Sequence, residues 1–203
     1  MKVLAAGDPA AIAEAVEMIR DGKVVAIPTD TFYGLAADPL SREAVQRLIE
    51  IKQRDEGKGI LLLVSSFQMI HRYAESIPEG FERWGVWPGA VTFLFRARGE
   101  LMPVLTGSSG RIGLRMPLAP TVTSLCETLG HAITGTSANR TGEEPARDVA
   151  GLDPIAGGIE AAIDGGRLPS SLPSTIIDLS RAAPALVRAG AVDFQYLLER
   201  MPR

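Results

Sequence analysis

Helix-period and strand-like apolar stretches alternate along the whole chain, and this interleaving narrows the fold to an α/β class more than any other feature. Asp8-Pro9 predicts a helix start, with Asp as the cap and Pro in the first turn. Ile12, Val16 and Ile19 then recur at helical spacing until Gly22. "KVVAIP" (23–28) reads as a strand, and Ser41 caps a second helix that places Val45, Leu48, Ile49 and Lys52 on one face. Ile60–Val64 is a buried strand, followed by short helical pieces to about Trp84. "AVTFLFR" (90–96) and Arg111–Met116 are strands, and Pro120 opens a helix with an apolar stripe of Val122, Leu125, Cys126 and Leu129. Ala132–Thr134 forms a short strand entering a polar turn. Strands are expected at 161–164, 174–179 and 185–188, with a last helix over 192–200. Several connections are short, which predicts a mixed sheet of parallel and antiparallel strands. Repeats, low-complexity tracts and long linkers are missing, so residues 1–203 read as one domain.

Composition supports a packed core. The 203 residues are 46% hydrophobic and 22% charged, which excludes disorder as a description of the whole chain. The longest apolar run, Ile60–Val64, is strand-sized, and Asp8, Pro9, Glu14 and Glu17 interrupt any leader-like stretch. A soluble, cytoplasmic protein without membrane contact is expected. A single cysteine rules out an intramolecular disulfide, and two histidines rule out a His/Cys metal cluster. The net charge of −3 is wrong for a basic nucleic-acid coat. Arginine nevertheless outnumbers lysine 17 to 4, which favours planar recognition of phosphate or carboxylate wherever those arginines converge.

No GxxxxGK[ST] loop is present, and "GSSGRIG" (107–113) does not match GxGxxG. His71 reads as a partly exposed helix residue and Cys126 as core, which makes covalent catalysis unattractive and favours positioning and charge stabilisation. Four polar segments stand out. "PTDTFYG" (28–34) follows a strand and offers hydroxyls where α/β sheets bind ligands, although a capped turn has the same residues. Lys52, Arg54 and Lys58 bracket a helix end; Lys52 and Arg54 converge on one ligand only if the helix stops near them, while cations at a helix C-terminus also suit its dipole. In "RIGLRMP" (111–117), alternation sends Arg111, Gly113 and Arg115 to one face, with the glycine leaving open floor between two guanidiniums; a solvated strand face is the alternative. "GTSAN" (135–139) combines small residues with Ser137 and Asn139 just past a strand, where backbone N–H groups reach phosphate oxygens or form an Asx-type turn. Together these segments describe a site for a polyanion beside a small polar molecule. A nucleoside triphosphate with Mg²⁺ offsetting its charge is the natural occupant.

"PTDTFYGLAADP" (28–39), "IKQRDEGKGILLLV" (51–64), "WPGAVTFLF" (87–95), "RIGLRMP" (111–117), "TSANRTGEEP" (136–145), "STIIDLS" (174–180) and "VRAG" (187–190) occur in order. Their content and spacing resemble the threonylcarbamoyl-AMP synthase family, also called YrdC or TsaC, in its short single-domain form, over residues 10 to 190. The resemblance implies a YrdC-like twisted open sheet with flanking helices and a concave positive cleft. It implies synthesis of L-threonylcarbamoyl-adenylate from L-threonine, bicarbonate and ATP with release of pyrophosphate, the first step of t6A formation at position 37 of tRNAs reading ANN codons. Threonylcarbamoyl-transfer proteins are the implied partners, with weak tRNA contact and Mg²⁺ carried by ATP rather than by protein side chains.

Residue by residue, the family's KxR and SxN pairs fall on Lys52, Arg54, Ser137 and Asn139, the implied catalytic set. Thr31, Arg115, Gly135 and Ser174 are implied to hold threonine, and Arg54, Lys58, Arg111, Ser137, Asn139 and Arg188 to face the nucleotide. The chain departs from the pattern in three places. Asp30 replaces a frequent Glu, Leu63 stands where some longer relatives have a threonine-holding His, and Glu144-Pro145-Ala146 replaces Ser-Pro-Thr. An RNA-binding or ribosome-associated module using the same basic cleft is the competing reading, marked by tight, salt-sensitive RNA affinity. Carbamoyl transfer in metal-centre maturation is a third, disfavoured by the absence of a zinc-type cysteine set.

Overall fold

The computed structural model describes residues 1–55, 57–169 and 172–201. In chain order the strands and α-helices are β1 (Lys2–Ala5), α1 (Pro9–Arg20), β2 (Val25–Ile27), β3 (Gly34–Ala36), α2 (Arg42–Lys52) and β4 (Leu62–Leu63). They continue with α3 (Phe67–Ile70), β5 (Val91–Arg96), α4 (Pro103–Thr106), β6 (Arg111–Arg115), α5 (Pro120–Leu129), β7 (Ile133–Thr134) and β8 (Thr136–Ser137). β9 (Ala161–Asp164), β10 (Thr175–Asp178), β11 (Ala185–Arg188) and α6 (Phe194–Leu198) complete the set.

The helix starts follow local chemistry. The Asp8 carboxylate accepts from the Ala10 N–H at 2.9 Å and Pro9 opens α1. Ser41 Oγ accepts from the Ala44 N–H at 3.2 Å and starts α2, whose Val45, Leu48, Ile49 and Lys52 are buried as their spacing requires. α2 ends at Gln53, which adopts left-handed φ of 48°, so the helix stops between Lys52 and Arg54.

The class is α/β with mixed strands and flanking helices, but the strands divide between two hydrogen-bonded sheets instead of one. The first has the order β1-β9-β2-β3-β8 and the second β11-β10-β5-β6-β4-β7. The division turns on two short strands that the sequence does not announce. β3 begins at the last residue of the "PTDTFYG" segment, and β8 lies inside the expected turn after Thr134; they pair antiparallel, Gly34 opposite Ser137 and Leu35 opposite Thr136. β1, with only Leu4 buried, likewise gives no alternating signal.

The chain passes from the second sheet to the first at Gly135, between β7 and β8. Thr134 N donates to Ala37 O at 3.0 Å, stitching the sheets together, while Gly135 N continues the β4–β7 ladder by donating to Leu61 O at 3.0 Å. A Cβ at position 135 would lie 2.3 Å from Leu63 Cγ, so only glycine permits this crossing.

Alternation in the second sheet separates core from site. Phe93 and Phe95 of β5, with Ile112 and Leu114 of β6, face the core, where Phe81 meets Phe93 edge-on at 5.1 Å and Trp87 at 5.2 Å. The other face carries Thr92, Leu94 and Arg96 beside Arg111, Gly113 and Arg115, in the register Leu94–Gly113 and Arg96–Arg111.

Candidate active site

That second face is the floor of a cavity of about 550 Å³. Thr92 and Leu94 of β5, Arg111, Gly113 and Arg115 of β6, and Ser174 and Ile176 from β10 and its entry line the floor. The "PTDTFYG" and "GTSAN" segments close one side with Thr29, Thr31, Gly135 and Ser137, and the loop after α2 closes another with Arg54. Pairing of β3 with β8 is what brings these two hydroxyl-bearing segments together. Leu61 and Leu94 come within 3.3 Å of a Cβ built on Gly113, so the floor there is apolar rather than open.

Four guanidiniums, from Arg54, Arg111, Arg115 and Arg188, line the cavity, and among the described residues no acidic side chain does. Each is aimed by neutral or acidic neighbours behind it. Arg115, with 6% of its side chain exposed, donates to Gly89 O at 3.2 Å, to Thr31 Oγ1 at 3.0 Å and to the Asp30 carboxylate. Three of its five N–H groups are thereby used, leaving one on each terminal nitrogen for a ligand. Burial lowers the Arg115 pKa; Asp30 counters this and the nearby Arg188 adds to it. Burial alone lowers the Arg188 pKa, and two partly desolvated guanidiniums lining one cavity favour an anion between them.

Arg188 Nη2 grips Ser174 through its carbonyl at 2.8 Å and its hydroxyl at 3.2 Å, while Ser174 Oγ also meets Thr92 Oγ1 at 2.8 Å. Arg54 donates to Lys58 O at 3.1 Å and Gly59 O at 2.6 Å, which staples the turn after α2 and holds the guanidinium on the wall.

Lys52 behaves differently from its expected partner Arg54. It is only 2% exposed and lies behind the "GTSAN" segment instead of on the cavity wall. Its ammonium donates to Ser137 O at 2.5 Å, Asn139 O at 2.8 Å and Asn139 Oδ1 at 3.1 Å. Asn139 Oδ1 also accepts from Ser137 Oγ at 2.6 Å, and Asn139 Nδ2 donates to Glu143 O at 2.7 Å. Burial first, then the Arg54 charge, push the Lys52 pKa down to about 8.

The Sua5/yciO/yrdC family model, described as "Telomere recombination", matches residues 17–190. A threonylcarbamoyl-AMP synthase of Klebsiella pneumoniae is 37% identical over 172 residues, spanning 83% of this chain and 90% of that protein. The chain belongs to the Sua5/YciO/YrdC family. Among solved structures, Pyrococcus abyssi Sua5 complexed with L-threonine superposes with a TM-score of 0.92 at 30% identity, over 98% of this chain and 60% of that one. Escherichia coli YciO superposes with a TM-score of 0.85 at 27% identity, over 97% of both chains. The chain therefore spans about the whole of the short relatives and 60% of the Sua5 chain.

Of the residues implied by the family pattern, Thr31, Arg54, Arg111, Arg115, Gly135, Ser137, Ser174 and Arg188 reach the cavity wall. Lys52 and Asn139 sit behind it, and Lys58 is exposed outside it, contributing its carbonyl to Arg54. Leu63, one of the three departures from the family pattern, does not line the cavity; it is buried under Gly135. Pro145 lines the wall, while Ala146 anchors its loop by accepting from Tyr33 N at 2.9 Å.

Two functional-looking contributors escaped the sequence reading. Thr92 is a polar residue inside a buried strand, and that mismatch was its available signal. Asp30, the partner of Arg115, sat within a motif already singled out, but nothing local points it at β6. His71 is exposed at the end of α3. Cys126 is fully buried, donates weakly to Leu63 O at 3.4 Å, and has its thiol pushed up to about 12 by burial.

Proposed function

We propose that the protein joins L-threonine, bicarbonate and ATP into L-threonylcarbamoyl-adenylate with release of pyrophosphate, and so supplies the first step of t6A formation at position 37 of tRNAs reading ANN codons. The observation that carries this reading is a cavity wall with four arginines, a row of hydroxyls and, among the described residues, no acidic side chain, in a chain 37% identical to a threonylcarbamoyl-AMP synthase. Arg115 takes the threonine carboxylate with its two remaining N–H groups, and Thr31, Ser174 and the Gly135 backbone frame the rest of the amino acid. Arg54, Arg111, Ser137 and Arg188 face the nucleotide. Mg²⁺ travels with the triphosphate and offsets its charge; the Asp30 and Asp178 carboxylates behind the wall are already engaged by arginines.

The threonine amine adds to bicarbonate-derived CO₂, losing a proton, and forms a carbamate. A carbamate oxygen then bonds to the α-phosphorus as the bond to the β-phosphate oxygen breaks. The chain's work is to align two anions and stabilise growing negative charge, which needs no protein nucleophile. Leu61, Leu94 and Ile176 limit water at the labile carbamate. The proposal includes a cytoplasmic setting, proteins that receive the threonylcarbamoyl group, and weak contact with tRNA. Incubation with ATP, bicarbonate, Mg²⁺ and labelled threonine, followed by mass analysis, is expected to show the adenylate; its absence from folded protein overturns the reading.

Lys52 is a positioning residue in this scheme, and its burial gives a signed pH dependence. A neutral amine has two N–H groups for the three oxygens it now serves, so the Ser137–Asn139 segment loosens as pH rises through about 8. Adenylate formation is expected to fall along that limb. Stability moves the other way. The unfolded chain, with Lys52 near its ordinary 10.5, binds more protons than the folded chain between about 8 and 10.5, so this group's contribution rises with pH there. Parallel pH–rate and pH–melting profiles check both signs.

A further inference from the structure

Beside the cavity, and sharing Ser109 and Arg111 with it, lies a second hollow of about 460 Å³. Arg96, Arg111 and Arg181 line it together with Ser180 and Glu75. The main cavity ends at Arg111, so one guanidinium serves both spaces. Nothing in the proposed roles above accounts for Arg96 or Arg181.

The strand register makes this cluster electrostatically unfinished. Arg96 and Arg111 are direct cross-strand partners in the antiparallel β5–β6 pair, an arrangement that places like charges opposite one another and costs stability. Asp178, 1% exposed on β10, partly answers them. Its Oδ2 accepts from Arg111 at 2.6 Å and from Arg181 at 3.0 Å, and its Oδ1 accepts from Ser180 Oγ at 2.6 Å and Ser180 N at 2.9 Å. Those four bonds use the acceptor sites of the carboxylate. Arg96 is left with Ser180 O at 3.5 Å, the outer limit of a hydrogen bond, and the exposed Glu75 on the rim is the remaining acid. Three guanidiniums therefore face two carboxylates, one of them saturated.

We propose that this second hollow is an oxyanion site for a diphosphate, filled by the pyrophosphate that the reaction releases. The inference rests on the proposed synthesis, whose leaving group departs from the phosphate end of the nucleotide. A diphosphate moving past Arg111 exchanges one face of that guanidinium for the other and gains Arg96 and Arg181. Asp178 holds Arg111 and Arg181 side by side through its Oδ2.

Calorimetric titration of the full chain with pyrophosphate, with a non-cleavable ATP analogue, and with threonine tests the site. In the Arg96→Ala/Arg181→Ala variant, pyrophosphate is expected to bind about tenfold more weakly or worse, as loss of two charge-assisted donors predicts. Pyrophosphate inhibition of adenylate formation should weaken by the same factor, while threonine affinity stays unchanged. Arg96 is exposed, Arg181 has 68% of its side chain exposed, and the buried Asp178 keeps Arg111 and Ser180 as partners when Arg181 is truncated, so the fold tolerates both changes. Arg20→Ala/Arg167→Ala removes two exposed arginines elsewhere, matches the change in net charge and should leave pyrophosphate binding unaltered. Weakening of pyrophosphate alone supports the product site; equal weakening of the ATP analogue assigns the hollow to the bound nucleotide and overturns it. Unchanged pyrophosphate affinity in the Arg96→Ala/Arg181→Ala variant, or an equal loss in Arg20→Ala/Arg167→Ala, also overturns it. If no adenylate forms yet pyrophosphate binding needs Arg96 and Arg181, the synthase reading fails and the oxyanion site stands.

Discussion

Arg54→Ala is expected to cut threonine- and bicarbonate-dependent pyrophosphate release about 100-fold or more, the loss typical when a fixed donor to developing charge is removed. The same substitution should barely move thermal stability. Arg54 bonds two backbone carbonyls of an exposed turn, at Lys58 and Gly59, and water replaces those partners once the side chain is gone. The cost is about 0.5–1.5 kcal/mol, or a few degrees in Tm for a chain of this size. A discontinuous pyrophosphate assay paired with a melting curve separates the two. Wild-type turnover in the variant would remove Arg54 from the chemistry.

Arg115→Ala should be costly on both axes, and a second substitution tells them apart. Loss of the guanidinium removes the clamp for the threonine carboxylate, so threonine affinity should fall about 100-fold. It also strands the Asp30 carboxylate, which has only 15% of its side chain exposed, together with Thr31 Oγ1 and Gly89 O. Breaking a buried ion pair from one side destabilises by about 3–5 kcal/mol. Adding Asp30→Asn neutralises the stranded charge, so the double variant is expected to regain much of the lost stability but none of the threonine affinity. Calorimetric threonine titrations of both variants, beside chemical denaturation, give the comparison. Recovery of binding with stability would reduce Arg115 to a structural strut.

What the sequence revealed depended on how local each signal was. Asp8-Pro9, Ser41 and Gly22 act within a few residues of themselves, and the helices they bound start and stop where their chemistry requires. Alternation along β6 was equally readable: Arg111, Gly113 and Arg115 reach the cavity while Ile112 and Leu114 enter the core. The partition into two sheets was not readable, because it depends on Gly34 and Leu35 meeting Ser137 and Thr136, a pairing with no local hydrophobic period to announce it.

The direction of Lys52 was hidden for a related reason. Its burial on the apolar face of α2 was visible as spacing, but the carbonyls that receive its ammonium lie on β8 and the loop beyond it. Lys58 carried the same type of charge as Arg54 only four positions away, yet the turn directs its backbone, rather than its side chain, toward the site. Most residues of the family pattern line one cavity; the division between wall and scaffold required three-dimensional pairing.

The sealed thiol at Cys126 has a consequence for experiments on the molecule in solution. With its sulfur enclosed under Leu63 and its ionisation displaced to about 12, the native fold offers a modifying reagent almost no thiolate. Alkylation at this lone thiol therefore proceeds through openings that expose α5, and its slow progress serves as a built-in clock for how often the folded chain breathes.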